Sequence, residues 1–299
     1  MKVAIFYYTQ SGQALSVAKS IATGLSSMAN VQCSMKRIIP QQDYPFPWSK
    51  YEFFDTFPET RLGLPPSGIV PIDFSDIEDA DLVMVIGQSW FLSPSLPLQS
   101  FFTDQEVRAY LNGRNVLFVN VCRNMWLMTS RKVKAYINDA HARLVGHIVL
   151  QDDAPNLVSV LTIIRWLMYG RKEGNGVLPA AGISAEDILG ASRFGEVIRR
   201  SIIEGDLDHL QERLLEVGAI KYKPSVLFME KAGHRMFGLW AAFIRRKGGF
   251  RDKRRRFRVN LFYIYLLVVL FLVSPFSQLF FYLTYPLQHV GRNRQEDCM

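Results

Sequence analysis

Apolar residues gather in five short runs, most of them followed by apolar positions at helical spacing. KVAIFYY (2–8), VQCSMKRII (31–39), LVMVIG (82–87, after Asp81), RNVLFVNV (114–121) and Val145–Leu150 predict strands. The third run is apolar throughout, which implies a strand covered on both faces. Ala14/Leu15, Val17/Ala18, Ile21/Ala22 and Leu25 mark a helix over 14–25, weakened at its end by Gly24. Helical spacing also covers 98–111 and 127–142. The order β-α-β-β-α-β-α-β predicts an α/β fold, with a five-stranded parallel sheet and helices on both faces.

One crossover breaks the pattern. Residues 40–72 mix Pro and Gly with Tyr44, Phe46, Trp48, Tyr51, Phe53, Phe54 and Phe57. This reads as an irregular insertion whose aromatic rings must pack on something or line something. After residue 152 the pattern turns helical, over 156–170, 185–204, 207–217 and 228–246. The first of these is greasy enough to lie on a membrane, to line an apolar pocket or to fill a core. The expected organisation is a main domain (1–152), a helical extension (153–244), a basic segment (245–258), an apolar segment (259–287) and a tail (288–299).

Charge changes the picture in one place. The chain of 299 residues carries a formal charge of +8. Residues 245–258 hold nine basic side chains against Asp252 alone, which accounts for all of it. A block of this kind is not a basic domain and argues against a nucleic-acid partner. Residues 259–287 then run without a charge, long enough for a spanning helix with some tilt. The adjoining arginines place residues 1–258 in the cytoplasm. The expectation is therefore a cytoplasmic (inner) membrane protein with a single C-terminal transmembrane anchor. Ser274–Pro275 would kink that span; the other arrangement, a re-entrant hairpin, leaves each arm too short to cross. The run Val3–Tyr8 is too short for the core of a signal peptide. Cys33, Cys122 and Cys298 show no C-x-x-C pair and no metal-type spacing, so no metal site is expected.

Three loops leave the carboxyl ends of the predicted strands, where open parallel sheets bind ligands. The first is Thr9-Gln10-Ser11-Gly12-Gln13-Ala14. Hydroxyl donors, a glycine that lets the backbone approach and a helix N-terminus suit a phosphate. The patterns G-x-x-x-x-G-K-[ST] and G-x-G-x-x-G are absent, against nucleoside triphosphate and dinucleotide readings. The second loop holds Ser89, Trp90, Phe91, Leu92 and Ser93; the third holds Arg123, Asn124, Met125 and Trp126.

The first loop and the five-strand order resemble the flavodoxin family, which binds FMN. That resemblance implies a phosphate on Thr9–Ala14 and a flavin ring between the other two loops, with Trp90 or Trp126 as a wall. The other reading of both tryptophans is loop anchoring. A narrower resemblance covers nearly the whole chain. YPFPW (44–48), EFFDTFPE (52–59), QSWFLSPSLP (88–97), CRNMW (122–126), DAPNLVSVLTIIRW (153–166) and FGLWAAFIRRKGGF (237–250) are similar to the proteins called dialkylresorcinol condensing enzymes. These accompany a ketosynthase in bacterial routes to dialkylresorcinols and to flexirubin-type and aryl-polyene pigments, and are credited with aromatisation. The implied reaction is a flavin-dependent dehydrogenation of a dialkylcyclohexane-1,3-dione made by a partner ketosynthase. Other readings are an FMN-dependent NAD(P)H quinone reductase and a scaffold without flavin. A homodimer is a further expectation by analogy of fold. For the base the sequence offers His147 and Asp152, near the end of the fifth strand, and Arg123 is placed to steady an anionic oxygen. A strand histidine and a surface salt bridge are the plain alternatives.

Overall fold

The computed structural model describes residues 1–27 and 31–273. Five long parallel strands form the sheet: β1 (Lys2–Tyr7), β2 (Gln32–Arg37), β3 (Leu82–Trp90), β5 (Asn115–Cys122) and β6 (Arg143–Gln151), in the order β2-β1-β3-β5-β6. β4 (Ser93–Pro94) is a two-residue strand folded back antiparallel on β3. The long strands thus run 2-1-3-4-5 in sequence order, a doubly wound topology with its switch point between β1 and β3. This is the flavodoxin-like arrangement expected from the sequence.

Alternation along the strands builds two cores. Met84, Ile86, Leu117 and Val119 face α1 (Gln13–Leu25), α9 (Ser192–Ile203) and α10 (Leu210–Glu216). Val83, Val85, Val116 and Phe118 face α4 (Leu96–Thr103), α5 (Gln105–Leu111) and α6 (Leu127–Asp139). A strand buried on both faces has no polar alternation, hence the continuous apolar runs. The helix expected over 98–111 is broken at Asp104, whose carboxylate accepts from the N–H groups of Glu106 and Val107 and so caps α5.

The helical extension is built into the domain. α9 crosses α1 so closely that a Cβ on Gly24 would lie 1.9 Å from the Ser192 carbonyl oxygen, and one on Gly195 would lie 2.1 Å from that of Ile21. The glycine that weakens the end of α1 therefore seats its neighbour. The open edge of β6 is closed by side chain and loop. The His147 N–H donates to Gln211 Oε1 (2.6 Å), and the Val149 N–H donates to the Ala219 carbonyl (2.8 Å). α7 (Asn156–Tyr169) follows β6, and α8 (Ala185–Gly190) precedes α9.

The insertion is more regular than its composition suggests. It contains α2 (Lys50–Asp55) and α3 (Phe57–Leu62), and α2 opens on a reciprocal cap between Ser49 and Glu52. Its rings pack on two C-terminal helices, α11 (Pro224–Arg245) and α12 (Arg256–Val268). Phe57 stacks on Phe262 at 3.7 Å between centroids, and Phe54 meets Tyr263 at 5.1 Å.

The C-terminal transmembrane helix is corrected. Among the described residues no helix is long and apolar enough to cross a membrane. α12 has 13 residues, roughly 20 Å of rise, against a hydrocarbon core of about 30 Å. It begins at Arg256, is followed by a π-turn over Val269–Val273, and packs Val259 and Phe262 into the body of the protein. The localisation inferred from a single C-terminal anchor falls with it. Residues 274–287 of the expected span, with Ser274–Pro275, and the tail lie outside the described residues. Nor is the basic segment simply a solvated block. Arg255 is fully buried, with its guanidinium 2.7 Å from Asp55 Oδ1 and 2.7 Å from Glu59 Oε1.

Candidate flavin site and apolar cavity

The first loop turns from β1 directly into α1, which begins at Gln13. Gly12 sits at φ 88° as the N-cap of α1, with nothing within 4 Å of a Cβ built on it. Ala14 is buried in the core beneath. The two glutamines serve the walls: Gln10 Nε2 donates to the Pro45 carbonyl (2.9 Å) and Gln13 Nε2 to the Ile183 carbonyl (2.8 Å). Ser11 stays partly exposed on the loop. The Thr9 hydroxyl is buried and has no hydrogen-bond partner among the described residues.

The second loop is a tight hairpin. Ser89 pairs with Pro94 and Trp90 with Ser93, leaving Phe91 (φ 47°) and Leu92 (φ 60°) as the two turn residues. A two-residue turn with both φ positive normally takes Asn or Gly. Here apolar side chains occupy it because both are packed. Phe91 lies 4.8 Å from Phe53 and 5.3 Å from Phe57 between centroids, and Leu92 meets α11 at Gly233. Trp90 points into the core against Tyr44 (5.4 Å) and Trp48 (5.7 Å). The Ser89 hydroxyl donates to Asn120 Oδ1 (2.9 Å), and the Ser93 hydroxyl is buried without a partner among the described residues.

In the third loop Arg123 is mostly buried. Its Nη1 donates to Asn156 Oδ1 (2.8 Å), and burial lowers its pKa to about 10. Asn124 Nδ2 donates to the same oxygen (3.0 Å), while Asn124 Oδ1 is buried with no partner among the described residues. Trp126 is 1 % exposed and anchors the start of α6. Both tryptophans anchor their loops, and neither is among the described residues that line the apolar cavity beside them.

An apolar cavity of about 720 Å³ opens beside the second and third loops. Ser89, Phe91, Leu92, Arg123 and Met125 contribute from the loops and Asn156, Val160, Ile163, Ile164 and Leu167 from α7. Phe53 and Phe54 of the insertion, Met236 and Phe237 of α11, and Tyr263 and Leu266 of α12 complete it. Of the three readings of residues 156–170, pocket lining describes these side chains. The walls from α11 and α12 were not foreseen, because apolar residues following an arginine block look the same in sequence whether they face lipid or a cavity. The first-loop residues Thr9–Ala14 do not line this space.

The candidate bases lie elsewhere. His147 is in the middle of β6, stacked on Phe118 (5.6 Å, 6°), with Nε2 2.9 Å from Ser130 Oγ. Burial lowers its pKa to about 4, so it is neutral near pH 7. Asp152 is buried and spends both oxygens on the turn into α7, accepting from Ser159 Oγ (2.6 Å) and the Ala154 N–H (2.9 Å). Its own N–H donates to the Arg123 carbonyl (2.7 Å), which makes it a positioning residue for the third loop. Burial pushes the Cys122 thiol well up, against any nucleophilic role. Among the described residues, no carboxylate and no imidazole lines the apolar cavity.

No family model and no curated protein matches the chain. Several solved structures are similar to it. A flavodoxin from the domain Archaea is 14% identical, covers 68% of this chain and 99% of its own, and superposes with a TM-score of 0.39. A WrbA-like flavodoxin from Agrobacterium tumefaciens is 9% identical over 68% and 98%, with a TM-score of 0.41. A flavoprotein in complex with FMN from Lactobacillus acidophilus NCFM is 17% identical over 51% and 94%, with a TM-score of 0.38. The fold assignment rests on the strand order, not on these likenesses.

Proposed function

We propose that the chain binds FMN at the switch point and transfers electrons between it and a hydrophobic substrate held in the apolar cavity. One observation carries this reading. Each of the three loops at that edge presents a buried polar atom with no partner among the described residues: Thr9 Oγ1, Ser93 Oγ and Asn124 Oδ1. Buried polar groups are rarely left unpaired, and a ligand is an ordinary reason for finding them so. Thr9 and the amides at the start of α1 would hold the phosphate. Ser93 and Asn124 would hold polar atoms nearer the ring. FMN supplies two-electron hydride chemistry when bound.

The chain's own groups favour one class of substrate. The cavity is lined mainly by apolar side chains, with Ser89, Arg123 and Asn156 among the few polar ones. Burial in such a wall would orient a greasy molecule with its oxygen toward the guanidinium. Arg123 would stabilise negative charge on that oxygen, as removal of an α-proton requires. The resemblance in sequence makes the finer reading a dialkylcyclohexane-1,3-dione, supplied by a ketosynthase and aromatised here. One observation favours a quinone as the acceptor instead. No carboxylate or imidazole lines the described cavity, and quinone reduction needs no base to remove a carbon-bound proton.

The test is a visible spectrum of purified protein after incubation with FMN, followed by identification of the released cofactor. Flavin bands that survive gel filtration support the site. A protein that stays colourless and refuses FMN would reduce the first loop to a turn. Anaerobic bleaching of the bound flavin by the dione supports the aromatase reading. Nicotinamide oxidation with a quinone, and no reaction with the dione, supports the second.

A further inference from the structure

A second cavity, of about 450 Å³, lies between α6, β6 and the segment leading into α10. It shares no lining residue with the apolar cavity, although Met125 lines one and Leu127, two residues on, lines the other. Its walls are apolar at Leu127, Val133, Leu144, Val145 and Leu207. His147 and Ser130 line it too, joined at 2.9 Å, and this imidazole is neutral. Three cations stand around it: Arg131 and Lys134, one turn apart on α6, and Arg143 on β6. The one acid in the lining is Asp208, and it is taken by Arg143 as an ion pair. Arg131 and Lys134 are in none of the ion pairs formed by the described residues, and both are exposed.

We propose that this cavity is a binding site for a small organic carboxylate, its apolar body against Leu144, Val145 and Leu207 and its carboxylate held by Arg131 and Lys134. With Arg143 taken by Asp208, Arg131 and Lys134 leave two positive side chains on this wall, Arg131 also facing the buried Glu230, and an anion suits them. The apolar walls ask for more than an inorganic ion, since a bare phosphate would leave them wet or empty. The guanidinium fork matches a carboxylate, and charge-assisted bonds of this kind are the stronger ones. This inference is independent of the flavin reading, because none of its residues belongs to the three loops or to the apolar cavity.

The test is calorimetric titration of the full chain at pH 7 with benzoate, octanoate, benzamide and inorganic phosphate. At least one of the two carboxylates is expected to bind saturably, one per chain, with benzamide at least tenfold weaker than benzoate. Arg131→Ala with Lys134→Ala should weaken the binding at least tenfold while the circular dichroism spectrum stays as in the parent, and Lys134→Ala alone, which leaves Arg131 beside Glu230, should weaken it too with Tm as in the parent. Leu144→Trp, which fills the cavity, should abolish binding. The proposal is overturned if neither carboxylate binds, if benzamide binds as well as benzoate, if any of these variants leaves the affinity unchanged, or if phosphate alone binds.

Discussion

Thr9 is the residue on which the flavin site is most sharply tested. Its hydroxyl is buried with no partner among the described residues, and the side chain as a whole is buried. Thr9→Val keeps the shape and removes only the donor. A hydrogen bond to a charged group contributes about 1.5–3 kcal/mol, so FMN should bind roughly ten to a hundredfold more weakly. Quenching of flavin fluorescence on titration measures this, and an unchanged affinity would take Thr9 out of the cradle. The sequence pointed to this residue because a strand, a hydroxyl-glycine turn and a helix follow one another within fourteen residues. It did not point away from Trp90, His147 or Asp152. Whether a loop tryptophan faces a ligand or the core depends on Tyr44 and Trp48, some forty residues upstream. His147 faces the cavity under α6 because of its strand parity, and parity alone does not say which cavity a face meets.

At the scale of elements, α11 is tied to the third loop by Glu230. Its carboxylate accepts from the N–H groups of Leu127 (3.1 Å) and Met128 (2.8 Å), capping α6 from another helix. Burial pushes this carboxyl up to about 7, and the backbone donors and Arg131 pull against that. The folded protein therefore holds a proton that the unfolded chain has lost between about 4.5 and 7. Stability contributed here is present at the acid end of that window and falls as pH rises through it. His147 acts in the opposite sense between about 4 and 6.5, because it is neutral when folded and charged when unfolded. Comparing Tm from pH 5 to 8 in the parent and in Glu230→Gln isolates the first effect. The parent's extra loss toward pH 7 should vanish in the variant, and identical profiles would refute the assignment. A second element-scale test is the α1–α9 crossing. Gly195→Ala puts a methyl group where a backbone oxygen lies at 2.1 Å, so the helices must separate. The cost should be about 3 kcal/mol, seen as a lower urea midpoint. Helix α9 was legible in the sequence, but its partner was not, because Gly24 taken alone reads only as a weak helix end.

Across the whole molecule, one buried charge cluster joins the insertion to the C-terminal helices. Arg255 is fully buried and holds Asp55 at 2.7 Å and Glu59 at 2.7 and 2.9 Å, and the Arg251 N–H donates to Asp55 Oδ2 (2.8 Å). The cluster fixes the turn before α12 onto α2 and α3, and all three helices or their neighbours wall the apolar cavity. In the sequence Arg255 is one of nine basic residues in a row of fourteen, and charge counting cannot tell a buried one from its solvated neighbours. The ion pairs themselves are weak evidence for stability, because desolvation offsets their attraction. Removing one partner is different, since it takes the buried cation from two buried carboxylates and leaves them the Arg251 N–H on Asp55 and Arg245 3.6 Å from Glu59. Arg255→Met should therefore cost about 3–5 kcal/mol. The triple variant Asp55→Asn, Glu59→Gln, Arg255→Met leaves no buried charge and should recover most of that loss. The loss should also be local. The three loops proposed to hold FMN leave strands of the sheet, so FMN affinity should be retained in Arg255→Met while binding of an apolar probe in the cavity is lost and the chain becomes cleavable between α11 and α12. If the sheet unfolds together with the C-terminal helices in that variant, the cluster holds the whole fold and not one wall of the cavity.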